Sequence, residues 1–187
     1  MLFNSYFFIF AYLPVTFAVY FFLNRKRLTF AASSWMLFAS LFFYAYWDVR
    51  YLALILGSIL FNYTIGSVIV DVDRQKKSFF SRSSVFWFGI CGNLILLGYF
   101  KYADFFLYNV NLLAGTELPL LKIILPLGIS FFTITQIAFL VDAFEGLVEE
   151  KKFINYALFV TFFPHLLAGP ILHHAEMMPQ FYRTRNR

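Results

Sequence analysis

Leu28–Trp47 reads LTFAASSWMLFASLFFYAYW, twenty residues without a charge. At ~1.5 Å per residue a helix of this length covers ~30 Å, the thickness of a bilayer's hydrocarbon core. Tyr44, Tyr46 and Trp47 sit together at its end, where rings with one apolar and one wet side favour the headgroup level. Arg25, Lys26 and Arg27 precede it, and Asp48 and Arg50 follow. The stretch is read as a membrane-spanning helix, and the same reading repeats on both sides of it.

Upstream, Ser5–Leu23 is also uncharged. Its basic cluster lies after the apolar run rather than before it, the reverse of a secretory signal. A retained first helix is expected, with its N-terminus outside and the basic triplet in the cytoplasm. Downstream, Asp48 and Arg50 leave room only for a very short turn, so the third run, Tyr51–Val70, is an antiparallel neighbour. Asp71–Ser84 is the longest polar stretch and carries Arg74, Lys76, Lys77 and Arg82. A fourth run starts near Val85, is interrupted at Lys101 and Asp104, and resumes over Phe105–Val110. A fifth is expected over Ile123–Leu147, with Pro126 near its start. The last, Phe153–Leu172, is broken by Pro164 and the Gly169–Pro170 pair. Its first part, Phe153–Phe163, reaches only about halfway across a bilayer at ~1.5 Å per residue. Read as re-entrant, it leaves the basic tail in the cytoplasm and puts 12 of the 15 Lys and Arg on that side. Non-helical backbone at that depth requires protein or a water-filled cavity around it.

The whole composition agrees. Apolar residues make up 61% of the chain and charged ones 13%, with a mean hydropathy of +0.71. Soluble domains run near 45–50% and about 25%. The expected class is an all-α, polytopic transmembrane helix bundle, one membrane domain over 1–187, with about five spans and a broken sixth segment. The net charge of +5 lies mostly in short loops, as topology rather than nucleic-acid binding requires. The single Cys91 excludes an internal disulfide.

Polar residues inside apolar runs need a reason. Ser58, Asn62 and Gly66 recur every four residues and read as a packing seam or part of a substrate path. At 100° per residue, Ser130, Thr133 and Gln136 form one polar stripe, while Thr135 and Asp142 align on a different side. A helix with two polar seams belongs at the centre of a bundle. Asp142 is either an interfacial carboxylate reaching water or a structural or path-lining group. Lys101 and Asp104, three apart, are placed to pair. His165 follows Pro164 and reads as a hydrogen-bonded packing residue or a general base. His173 and His174 point about 100° apart, and Glu176 adds only one ligand, so no metal is expected. There is no phosphate-binding glycine loop, no nucleophile elbow and no CxxC pair.

Three stretches carry a resemblance: Leu97-Gly98-Tyr99-Phe100-Lys101-Tyr102-Ala103-Asp104-Phe105-Phe106, then Leu125-Pro126-Leu127-Gly128-Ile129-Ser130-Phe131-Phe132-Thr133 continuing to Leu140-Val141-Asp142, and Phe162-Phe163-Pro164-His165-Leu166-Leu167-Ala168-Gly169-Pro170-Ile171 with Pro179-Gln180-Phe181. With the opening Met1-Leu2-Phe3-Asn4-Ser5, they resemble the membrane-bound O-acyltransferase family, nearest to its bacterial alginate O-acetyltransferase branch. The teichoic-acid D-alanyl transferases are more distant.

The resemblance implies a ring of helices around a tunnel joining the two faces of a bacterial inner membrane. The donor would be acetyl-CoA or another cytoplasmic acyl thioester, with no bound cofactor. The acceptor would be an extracellular polysaccharide, reached through an extracytoplasmic acetyltransferase partner. The family's histidine, in a Trp-His-Gly context, lies beyond the region matched. No such tripeptide occurs here, and none of His165, His173 or His174 aligns with it. The chain is therefore expected to be the front part of such an enzyme, with no catalytic residue of its own, inactive without the remaining C-terminal part. Gln136, His165 and Pro170 would lie nearest the tunnel, with Asp142 and Lys101 as further lining or structural positions. His173 stands where arginine is common. The reading from residues alone leaves a different class open, a non-enzymatic transporter subunit or assembly factor.

Overall fold

The computed structural model describes residues 5–74, 81–148 and 152–163, all of them in helices, turns or irregular chain with no strand among them. Six α-helices follow one another: α1 (Leu13–Arg25), α2 (Thr29–Trp47), α3 (Arg50–Arg74), α4 (Arg82–Ala114), α5 (Ile129–Phe144) and α6 (Phe153–Thr161). The stretches Phe8–Arg25, Arg50–Asp71 and Arg82–Ala114 are long and apolar enough to cross a membrane. The 19-residue α2 is uncharged but diluted by Ser, Tyr and Trp, and α5, at 16 residues, is shorter than a full crossing. The chain is a multi-pass helical membrane protein.

Local chemistry explains the joints. A π-helical turn, Phe8–Tyr12, runs directly into α1. Pro14, in the first turn of α1, has no N–H and crowds the carbonyl four residues back, so the helix widens there. At the other end Arg27 takes a left-handed conformation (φ 62°), and the Leu28 N–H returns to the Leu23 carbonyl at 3.1 Å. Trp35 Nε1 donates to the Thr16 carbonyl (3.0 Å) and Tyr12 Oη to that of Ala39 (2.7 Å), locking α1 against α2. Between α2 and α3 the Asp48 carboxylate accepts from the Arg50 N–H (2.9 Å) and pairs with its guanidinium (3.1 Å). These bonds to Arg50 hold the Asp48 carboxyl below its ordinary pKa.

Two joints differ from expectation. Lys101 and Asp104 do not interrupt the fourth helix. The 33 residues of α4 run unbroken for ~50 Å, because a charged side chain removes no backbone hydrogen bond. The fifth helix begins at Ile129, six residues later than expected, since Pro126 disfavours helix at the residue before it and Gly128 is left-handed (φ 66°). Residues 115–128 form an irregular strap whose backbone is satisfied by side chains instead of a ladder. Asp104 accepts the Leu121 and Ile123 N–H groups (2.7 and 3.1 Å), Asn111 accepts that of Leu118 (2.9 Å), and Tyr51 Oη donates to the Ile124 carbonyl (2.6 Å). Asp104 is thereby engaged, and it does not pair with Lys101 as its spacing suggested.

The helices α3, α4 and α5 pack together, and α2 connects them to α1 and α6. Buried residues form one broad face of α5 from Ile129 to Ala143, taking in Thr133, Thr135, Gln136 and Asp142. Ile134 on the opposite face is 41% exposed, so among the described residues α5 is not enclosed on every side as its two polar seams suggested. The nine-residue α6 is encased over Asn155–Thr161. Past its end, the Phe163 N–H lies 3.4 Å from Ser40 Oγ, eleven residues along α2, which is ~16 Å of helix. The described part of α6 therefore ends beside the middle of α2, and Phe163 enters an aromatic cluster with Phe8, Tyr12 and Phe43.

Candidate functional site

Four polar side chains meet where α3, α4 and α5 cross, near the middle of each helix: Ser58 and Asn62 from α3, Asn93 from α4 and Gln136 from α5. Asn62 and Gln136 are wholly buried and Asn93 is 1% exposed. The two asparagines exchange amide bonds, Asn62 Nδ2 to Asn93 Oδ1 at 3.1 Å and Asn93 Nδ2 to Asn62 Oδ1 at 2.6 Å. Each also donates to the carbonyl one turn back on its own helix, Ser58 and Gly89. Gln136 Oε1 accepts from Ser58 Oγ (2.6 Å) and Asn62 Nδ2 (2.9 Å). An Nδ2 group can only donate, so it fixes which end of the Gln136 amide faces it. Gln136 Nε2 is then left with no hydrogen-bond partner among the described residues, as is Thr133 Oγ1 one turn away.

The helices come close enough for these bonds because glycines line the crossings. A Cβ on Gly66 would strike the Phe139 ring, and one on Gly89 would lie 2.7 Å from Leu140 and 2.8 Å from Ile65. The seam over Ser58, Asn62 and Gly66 is thus a packing seam between helices, with a polar hub inside it. The hub contains no ionisable group. It can orient a neighbour or offer the Gln136 N–H, but it supplies no acid, base or nucleophile.

The sequence candidates distribute along α5. Gln136 is in the hub. Lys101 lies exposed one end away, Nζ 3.4 Å from Ser130 Oγ and over the Tyr102 ring. Asp142 lies towards the other end, each about 9 Å of helix from Gln136 by residue count. Asp142 is 1% exposed, so it is no interfacial carboxylate reaching water. The C-terminus of α5 is covered: Arg82 Nη2 donates to the Ala143 and Phe144 carbonyls, with its guanidinium over the Phe144 ring. His165, Pro170 and His173 fall outside the described residues. Among the described residues no three His, Cys, Asp or Glu gather as metal ligands.

The sequence reading missed Asn93, although a lone amide directly after Gly92, one turn on from Gly89 in an apolar run, was a usable signal. It also missed Asn155 and Tyr156 on α6. Both are buried, with Asn155 Nδ2 and Tyr156 Oη unpartnered among the described residues.

Comparison with known proteins supplies relatives. The whole chain aligns at 41% identity with the peptidoglycan O-acetyltransferase of Helicobacter pylori, covering 40% of that protein. It is 36% identical over 98% of its length to a probable alginate O-acetylase of Pseudomonas aeruginosa, and 34% identical to that of Azotobacter vinelandii, covering 35% and 37% of them. These relatives are membrane-bound O-acyltransferases, and the chain is similar to a portion of them. It spans 35 to 40% of the length of these relatives. No family model and no solved structure matches it.

Proposed function

We propose that this chain is the front scaffold of a membrane-bound O-acetyltransferase that takes an acetyl or other acyl group from a cytoplasmic thioester, acetyl-CoA being the simplest, and passes it across the inner membrane for O-acylation of an extracellular polysaccharide. The observation that carries the reading is the alignment of its whole length with an O-acetyltransferase at 41% identity. That relative's acceptor, peptidoglycan, is favoured over alginate because the alginate relatives are less similar, at 31–36%. In this reading the N-terminus is outside and the basic loops are cytoplasmic. Gln136 and the α5 stripe brace the path of the acyl group, and an extracytoplasmic acetyltransferase completes delivery to the sugar.

The chain supplies no catalytic histidine, so alone it does not transfer. The test gives labelled acetyl-CoA to membranes containing the chain alone, and to membranes containing it joined to the uncovered part of the Helicobacter pylori relative. The expected result is label on peptidoglycan only in the second case. Robust transfer by the chain alone refutes the assignment of catalysis elsewhere, and an inert joined protein refutes the acetyltransferase reading.

A further inference from the structure

The outer side of the α3–α4 crossing carries a groove of about 370 Å³. Ala53, Gly57 and Gly92 leave it open, Phe61 walls it, and Ser58 and Asn93 line it. A Cβ placed on Gly57 meets nothing within 4 Å, so this glycine makes room for something other than the described chain. The polar groups at its base are specific in kind. Ser58 Oγ spends its hydrogen on Gln136, and Asn93 Nδ2 donates to Asn62 and Gly89. What they can still offer the groove is lone pairs on Ser58 Oγ and Asn93 Oδ1. A lipid tail has no donor to meet them, and small residues four apart are the surface on which membrane helices approach closely.

We propose that this groove seats a transmembrane helix carrying a hydroxyl or amide donor, and that the helix comes from the three-fifths of the relatives' length that this chain does not cover. The proposal rests on the reading above that the chain is one part of the longer enzyme. The donor side chain enters between Gly57 and Gly92 and bonds Ser58 or Asn93, extending the buried hub to a fourth helix.

The test co-expresses the chain with the uncovered part of the Helicobacter pylori relative as a separate polypeptide. A photo-crosslinking residue replaces Gly57, with Phe38 on α2 as the control position. The expected result is an adduct between the two polypeptides from position 57, reduced at least tenfold when Gly92→Trp fills the groove and retained with the milder Gly92→Ser. Adducts only with lipid, or only with a second copy of the chain, overturn the proposal, as does an adduct equally strong from position 38. O-acetyl transfer is measured on the same membranes. Transfer without the adduct sinks the groove assignment alone, while the adduct without transfer leaves it standing and sinks the acetyltransferase reading.

Discussion

Replacing Asn62 by leucine tests whether the amide hub holds α3, α4 and α5 together. The side chain is fully buried and takes part in three interhelical bonds, two with Asn93 and one with Gln136. Its Nδ2 has two hydrogens for three acceptors, so one of those bonds is shared. Interhelical hydrogen bonds in membranes average about 0.6 kcal/mol. Three of them give about 2 kcal/mol at most, roughly a twentyfold change in the folding equilibrium. Gln136 keeps Ser58 and Asn93 Nδ2 keeps Gly89, but Asn93 Oδ1 loses the Asn62 donor while staying buried, which adds about 1–3 kcal/mol. The assay is reversible unfolding in mixed micelles of Asn62→Leu, Asn93→Leu and the double variant. We expect a loss of about 2–4 kcal/mol for Asn62→Leu and a coupling between the two sites of about 1 kcal/mol or more, since the double variant removes the orphaned acceptor. A leucine variant as stable as the parent, with no coupling, refutes the hub as a source of cohesion.

Gln136→Leu behaves differently in stability and activity: it removes two bonds but also an unpartnered buried donor, so unfolding shifts by less than about 1 kcal/mol, while O-acetyl transfer by the chain joined to the rest of the enzyme falls. Gly89→Ala forces Leu140 and Ile65 aside and is expected to cost about 1–3 kcal/mol, whereas Gly98→Ala, with nothing within 4 Å, is near neutral in the same unfolding assay. Asp104→Asn weakens two carboxylate bonds to the strap and speeds amide exchange at Leu121 and Ile123, with little change at α5. Asp48 has a depressed pKa, so its pairing with Arg50 is fully present above the ordinary carboxylate pKa and is lost as pH falls through the depressed value. Exchange at the Arg50 amide, followed on acidification, should rise in that window, below the range where free carboxylates titrate.

What could be read from the sequence followed from how far each signal acts. An uncharged run such as Leu28–Trp47 declares itself because lipid leaves a helix as the available form for a single span. The burial of both polar seams of α5 was legible because polar residues are costly against lipid, but its remaining face, with Ile134 exposed, was not. The end of α6 was only partly legible: it stops at Thr161, where Phe162 leaves helical geometry (ψ 105°), ahead of the break that Pro164 suggested. Boundaries set by backbone conformation were less visible. Lys101 and Asp104 read as a break, yet they only mark where α4 acquires side-chain duties to the strap. Pro126 read as an N-terminal proline, but Gly128 and its left-handed turn set the true start. Asn93 was overlooked because its role depends on Asn62, 31 residues earlier, and no local pattern records that meeting.

The distribution of satisfied and unsatisfied polar groups divides the bundle. Towards the N-terminal side, Tyr12, Trp35 and Ser40 each reach a backbone carbonyl, and Tyr44 Oη on α2 is the buried polar atom there without a partner among the described residues. Along α5 and α6, Thr133, Thr135, Gln136, Asn155 and Tyr156 each bury a polar atom without a partner among the described residues. Each such group costs about 1–3 kcal/mol, too much to accumulate by accident on two adjacent helices. Of these two helices, α5 lies largely in a stretch that carries the acyltransferase resemblance, and α6 immediately precedes another. In the proposed reading further protein, water or the travelling acyl group meets these open bonds, and on that reading Gln136→Leu spares stability while impairing transfer. A leucine there that left transfer intact would show that the unsatisfied donors are a structural cost without a functional return, and would move the acyl path away from α5.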